Sequence, residues 1–387
     1  MRDIKFYKGI YFWVGAVVIV LVGIGTSFAQ EPYKIGAAFG ITGHFSTTGV
    51  DARRSAEMLV EEINKSGGIN GHRLSLIIED TESNDSKGIL AIKKLIVKDK
   101  VSALTSCSGS GLVLASMSVV QEQGVVMVAN AGATIIARPV KKWIFKTPAL
   151  TTDAAGKILE YMQKQGIRRI AILTDVTAFG DEGRTEFEKQ APEYGVKIIE
   201  SLRFDPKDTD MSAQLTRIRS TDAQAIQVWG VGNQPALIAK QRVQLGIKIP
   251  LFQCHGLGDA IYLRLAGEAA EGNIMPTSAA TVVADKLPDS HPQKSLAMKW
   301  NARYEEKYKE FLPPQGAYSF DAVQIIANAM KTAGSDAAKL RDEIEKTKNL
   351  IGLTGVFTYS ATDHSGVSKK DLIMVEVENG KYKYIKD

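Results

Sequence analysis

The residues of this chain that could do chemistry fall in a few short runs. Cys107 and His255 supply a thiol and an imidazole, the pair from which a nucleophile and its base are made. The pair reads more readily as a small buried thiol and an unrelated histidine. Asp363-His364-Ser365-Gly366 carries the residue types of a hydrolytic triad, but neighbours in one loop cannot adopt triad geometry, and the run reads as a turn. Ser106-Cys107-Ser108-Gly109-Ser110-Gly111 offers different chemistry. Small hydroxyl residues and glycines ahead of a helix expose backbone N–H groups that suit an anion such as a carboxylate. Asn130-Ala131-Gly132-Ala133-Thr134, the run from Asp175 to Phe179-Gly180, Gly230-Val231-Gly232-Asn233 and Cys254-His255-Gly256 are four more small or polar stretches. Phe179 among them is either a core plug or a wall for an apolar ligand. No GxSxG, P-loop or complete GxGxxG motif is present. The histidines at 44, 72, 255, 291 and 364 lack metal-ligand spacing, and two cysteines alone cannot build a zinc site. Neither a metal nor a cofactor is expected.

All five runs follow segments of strand character. Apolar strand-length runs at Tyr33–Phe39, Leu74–Ile78, Val101–Thr105 and Val125–Ala129 alternate with helical patterns at Thr48–Ile63, Ser86–Lys98 and Leu112–Gln123. In the first helix Ala52, Ala56, Leu59, Val60 and Ile63 share one face, and Gly67-Gly68 stops it. The rhythm repeats with strands at Ile170–Thr174, Val196–Glu200, Ala225–Trp229 and Ile249–Gln253. Its helices are Asp153–Gln165, capped by Asp153, then Glu182–Glu193, Ser212–Arg219 and Ala236–Leu245. Alternation of this kind predicts α/β architecture with two doubly wound parallel-sheet lobes. In such sheets ligands bind beyond the carboxyl ends of the strands, so the five loops read as two facing rims of a cleft. From Ala279 the pattern turns helical, at Gln293–Tyr308, Tyr318–Ala333 and Asp336–Lys346, with late strands at Gly355–Tyr359 and Leu372–Val377. This tail is expected to pack back onto both lobes.

Composition narrows the function classes. The 387 residues include 48 basic and 43 acidic ones, a net charge of +5 with no run of five like charges, so neither nucleic acid nor an anionic membrane is an expected partner. The N-terminus stands apart: Arg2, Lys5 and Lys8 precede an uncharged run from Ile10 to Ile24, and Ser27-Phe28-Ala29 follows with small residues at the cleavage positions. It reads as a cleaved secretory signal peptide over residues 1–29, implying export. Its removal takes away three basic residues and one acid, lowering the net charge to +3.

The chain resembles the periplasmic solute-binding proteins of branched-chain amino-acid-type ABC transporters, the leucine/isoleucine/valine-binding group. The resemblance covers essentially all of residues 30–387. It is carried by Tyr33-Lys34-Ile35-Gly36, Thr42-Gly43, Glu62-Ile63-Asn64, Gly67-Gly68-Ile69-Asn70-Gly71, Glu79-Asp80 and Cys107-Ser108. Phe179-Gly180 (where relatives have Tyr-Gly), Asp208-Thr209-Asp210, Ala270-Glu271-Gly272 and Phe320-Asp321-Ala322 continue it. It implies a type I periplasmic binding protein fold with a three-crossing hinge near Thr147–Ala149, Met275–Ser278 and Gly352–Gly355. The N-terminal lobe would be 30–147 plus 278–352, and the C-terminal lobe 148–277 plus 353–387. It further implies a monomer that closes over a small carboxylate and delivers it to membrane permease subunits.

The implied ligand-binding set is Phe45, Ser106, Ser108, Ala131, Ala133, Thr134, Phe179, Trp229 and His255. Ser108 and the Ala131–Thr134 loop would meet the carboxylate, and Phe179 and Trp229 would supply apolar surface. Two departures from the family pattern matter. The cysteine expected near Glu82 or Ser83 is missing, leaving Cys107 a free thiol. His255 stands where amino-acid binders carry the acid that pairs with the ligand ammonium; the next acid is Asp259. Gln253-Cys254-His255-Gly256, the run Trp143 to Pro148 and Asp363-His364-Ser365-Gly366 look like the subgroup that binds aromatic carboxylates. An aromatic acid is therefore expected ahead of a branched-chain amino acid. A sensory protein feeding a receptor or kinase, and a secreted enzyme using Cys107 or His255, are the rival readings.

Overall fold

The computed structural model describes residues 30–278 and 284–385; the expected signal peptide lies outside them. Strand β1 (Tyr33–Phe39), helix α1 (Ser46–Lys65), β2 (Leu74–Asp80), α2 (Asp85–Val97), β3 (Ala103–Cys107), α3 (Gly109–Gln123), β4 (Val126–Ala129) and β5 (Ile144–Lys146) build the first sheet and its cover. That sheet is parallel throughout, in the order β2-β1-β3-β4-β5. Helix α1 forms because Ala52, Ala56, Leu59 and Val60 are buried on one face. It ends where Gly67 and Gly68 take positive φ, a backbone shape open to glycine; a side chain at Gly68 would meet His72 O at 2.1 Å.

The second sheet follows with α4 (Thr151–Lys164), β6 (Arg169–Asp175), α5 (Ala178–Gln190), β7 (Lys197–Phe204), α6 (Ser212–Arg219), β8 (Ala225–Trp229), α7 (Gln234–Gln244), β9 (Leu251–Phe252), α8 (Ala260–Ala266) and β10 (Ile274–Ser278). The tail supplies α9 (Lys294–Tyr308), α10 (Pro314–Ala333), α11 (Ala337–Glu345), β11 (Leu350–Ile351), β12 (Val356–Phe357), β13 (Leu372–Glu378) and β14 (Lys381–Tyr384). Helix α10 packs against α1, on the first sheet. Strand β13 pairs antiparallel with β10, and β14 with β13, so the second sheet runs β14-β13-β10-β9-β8-β6-β7. The chain thus passes between the sheets three times, and the second lobe carries an antiparallel edge on a parallel core.

Differences from the expected elements sit at their ends. Strand β3 runs on to Cys107, two residues past the expected end at Thr105, because Ser106 and Cys107 still pair with Ala38 and Phe39 of β1. Helix α4 starts at Thr151, so Asp153 lies in its first turn instead of capping it. Helix α5 starts at Ala178, capped by the Thr177 side chain, which puts Phe179 on the helix and not in a loop. Among the described residues no helix is long and apolar enough to cross a membrane.

Candidate functional site

The carboxyl ends of the two sheets face each other across a cleft with about 480 Å3 of space not filled by protein, part of it open to solvent. Phe45 and Thr48 at the start of α1, Cys107, Gly109 and Ser110 where β3 becomes α3, and Asn130 to Gly132 after β4 form one wall. Phe179, Val231, His255 and Gly256 form the other, with Pro148 in the first crossing and Gln315 and Tyr318 on the opening turns of α10. The first turns of α3, α5 and α10 all contribute lining residues, so the positive ends of three helices converge on the space.

No described lining residue is Asp, Glu, Lys or Arg. His255 is 1% exposed, and burial, helped by the nearby Lys146 ammonium, pushes its pKa down to about 3, so the imidazole is neutral at any physiological pH. Its Nδ1 has no hydrogen-bond partner among the described residues. Its ring packs against Phe179 and Trp229 at centroid distances of 5.8 and 5.6 Å. Gly132 presses the opposite wall onto this group: a Cβ there would stand 2.8 Å from the Phe179 ring and 3.1 Å from His255 Nε2. Asp175, just before Phe179, and Asp259, just after His255, are engaged elsewhere. Asp175 Oδ1 accepts from Thr177 N and Oγ1, and Asp259 Oδ1 accepts from Tyr262 N at the start of α8.

Of the residues expected in the site, Phe45, Ala131, Phe179 and His255 come together on the cleft wall. Ser106 does not, because β3 runs on through it; the side chain is buried in the sheet with its Oγ 4.0 Å from Met127 Sδ. Ser108 is turned away, its Oγ 2.6 Å from Thr81 Oγ1. Ala133 lies behind the wall and donates its N–H to Ser110 Oγ at 3.2 Å. Thr134 spends its groups on the other lobe, donating N–H to the Glu182 carboxylate and placing Oγ1 2.9 Å from Thr152 Oγ1. Trp229 is fully buried and backs Phe179 at 5.4 Å without reaching the cleft.

Sequence reasoning missed Gln315 and Tyr318. Gln315 Nε2 donates to Gly256 O at 3.2 Å, and its Oε1 accepts from the Cys107 thiol at 3.7 Å. The Tyr318 hydroxyl has no partner among the described residues. The available signal was Pro313-Pro314, which marks a helix start ahead of Tyr318. Cys107 is a free thiol that burial pushes up to about 12, and its hydrogen-bond partners are Thr48 O and Gln315, not His255. An uncharged thiol without a base is a poor nucleophile.

A family model described as periplasmic binding protein matches residues 32–381. The chain belongs to the periplasmic binding protein family. A curated relative is the leucine-, isoleucine-, valine-, threonine-, and alanine-binding protein of Pseudomonas aeruginosa, 27% identical over 323 residues, 82% of this chain and 83% of that one. Another is a Leu/Ile/Val-binding protein homolog of Brucella abortus, 26% identical over 390 residues, 97% of this chain and 99% of that one. An extracellular ligand-binding receptor from Rhodopseudomonas palustris HaA2 superposes with a TM-score of 0.86 at 21% identity, covering 92% of this chain and all of the other. The substrate binding protein of a branched-chain amino acid transporter from Streptococcus pneumoniae, solved with isoleucine, superposes with a TM-score of 0.81 at 24% identity over the same shares. This periplasmic binding protein therefore has the two-lobed type I fold, and it is a solute binder and not an enzyme.

Proposed function

We propose that this periplasmic binding protein captures a small carboxylate, an aromatic acid ahead of a branched-chain amino acid, and delivers it to the permease of an ABC transporter. One observation carries the ligand class: the described cleft lining holds no acidic side chain, and a neutral His255 faces Phe179 where amino-acid binders of this family place an acid. An ammonium sealed in this cleft would lack a counter-charge, at a cost of several kcal/mol. A flat apolar acid finds instead Phe45, Phe179 and Val231, with the Ser110 hydroxyl and three helix N-termini for its carboxylate. The names of the curated relatives favour branched-chain amino acids, so the two ligand classes are the outcomes to separate.

In this reading the lobes, 30–147 with 278–352 and 148–277 with 353–387, close over the ligand about the three crossings. The protein acts as an exported monomer after loss of residues 1–29. Calorimetry with benzoate, 4-hydroxybenzoate, leucine and valine tests the ligand class. Binding of an aromatic acid in the micromolar range, about −8 kcal/mol, is the expected result. Tight leucine binding with no benzoate response would overturn it.

A further inference from the structure

Lys146, the last residue of β5, is 0% exposed, yet among the described residues its ammonium forms no ion pair with a carboxylate. Its Nζ donates to Gly132 O at 2.8 Å and lies 3.4 Å from Ala133 O and from Ala149 O, three neutral carbonyls. A fully buried cation whose hydrogen-bond partners are all neutral carbonyls is incompletely compensated by the acids farther off. It stands one peptide unit behind the cleft, because Gly132 is at once its partner and part of the lining. A chain of hydrogen bonds continues forward: the Gly132–Ala133 peptide that receives Nζ on its carbonyl donates its N–H to Ser110 Oγ at 3.2 Å. Ser110 lines the cleft, and among the described residues its hydroxyl accepts from Ala133 N without donating to a protein group, which leaves its proton available to a ligand. Each link is polarised in the direction that strengthens donation by the last.

We propose that Lys146 is the positioning residue that selects an anionic ligand, acting through the Gly132–Ala133 peptide and the Ser110 hydroxyl, and that ligand binding holds the proton on its amine. This rests on the carboxylate reading of the cleft. The charged groups facing Lys146 are Glu182 on α5, Asp153 on α4 and Asp363 before β13, which favour its charged form, and Arg138, which disfavours it. Burial outweighs them and brings the amine down to about 7. An anion in the cleft supplies the missing opposite charge and raises that value. Below pH ~7 the amine is protonated with or without ligand, and affinity is flat. Above it the free protein has lost a proton that the complex keeps, so binding takes up a proton and affinity falls by up to about tenfold per pH unit.

The test is calorimetry of benzoate, 4-hydroxybenzoate, leucine and valine at several pH values from about 6 to about 9, each in phosphate and in Tris, reading Kd and protons exchanged. The expected result is the falling profile with proton uptake for the carboxylate that binds. Lys146→Arg, which stays charged, flattens the profile and keeps binding, whereas Lys146→Met weakens binding by about tenfold or more below pH ~7. A flat wild-type profile without proton uptake would overturn the inference and leave the carboxylate reading standing. A slope that survives in Lys146→Arg would also overturn it, assigning the proton to Asp51 or Asp321, which burial raises into the same range. Failure of all four probes to bind would count against the carboxylate reading and this inference together.

Discussion

His255 meets Phe179 and Trp229 with an imidazole that burial keeps neutral, and the opposite wall touches it through a glycine. An aromatic cage whose described lining holds no acidic side chain discriminates by shape and gives a ligand ammonium no counter-charge. His255→Glu puts a carboxylate in that cage. The expected outcome is a gain of about tenfold or more in leucine affinity and a comparable loss for benzoate, which would then face a like charge in a dry site. Titration calorimetry on both ligands checks it, and unchanged preference would show that position 255 does not set the ligand class. At this scale the sequence was legible where a side chain sits just past a strand end, as Ala131 and His255 do, whereas Phe45 was reached only through the family resemblance. It was not legible for Ser106, because one more pair of ladder bonds with β1 draws that residue into the sheet. Nor was it for Ser108, whose hydroxyl finds Thr81 on a neighbouring loop that no local pattern couples to it.

The element that joins the distant parts is α10. Its first turns bring Gln315 and Tyr318 into the cleft, and further along Asp321 holds the turn of the β11–β12 hairpin. The Asp321 carboxylate accepts from Leu353 N at 2.6 Å and from Thr354 N and Oγ1 at 2.8 and 2.5 Å. The family resemblance marks Phe320-Asp321-Ala322 as a landmark and Gly352–Gly355 as a crossing, whereas the latter forms the turn between β11 and β12; the bond between them is long-range and has no sequence period. Asp321→Ala leaves three donors unpaired in a buried place and is expected to cost about 3 kcal/mol in urea unfolding. Burial raises Asp321 to about 7, above its unfolded value near 4. The folded state therefore binds the extra proton between those values. The stability that this proton brings is fully present below pH ~4 and is lost as pH rises through ~7. Asp321→Asn removes that component, so the wild-type advantage over the Asn variant should shrink from pH ~5 to ~8; a constant difference would assign the pH dependence elsewhere.

Across the whole molecule, the contacts that bridge the cleft describe a closed form. Glu182 on the second lobe accepts from Thr134 N, Gln315 reaches Gly256 O, and Arg264 pairs with Glu310, which also pairs with Arg54. Two sheets and a returning tail were readable from alternation of strand and helix, because each period is local. The antiparallel edge of β13 and β14 was not, since pairing with β10 depends on where the tail arrives and not on its own pattern. The rim ion pairs are partly exposed and carry little weight, whereas the Gln315–Gly256 bond is buried and the Thr134–Glu182 bond partly buried. At about 1 kcal/mol each, loss of both shifts the ratio of closed to open forms by about thirtyfold. The Glu182→Ala, Gln315→Ala double variant should therefore scatter X-rays with a larger radius of gyration than wild type and bind its carboxylate up to about thirtyfold more weakly. Most of that loss should appear as faster release, since these contacts form only after the lobes meet. Each single variant should show roughly half the effect in free energy if the bonds act independently. An unchanged radius of gyration together with an unchanged Kd would mean that the crossings, and not the cleft contacts, set the closed form.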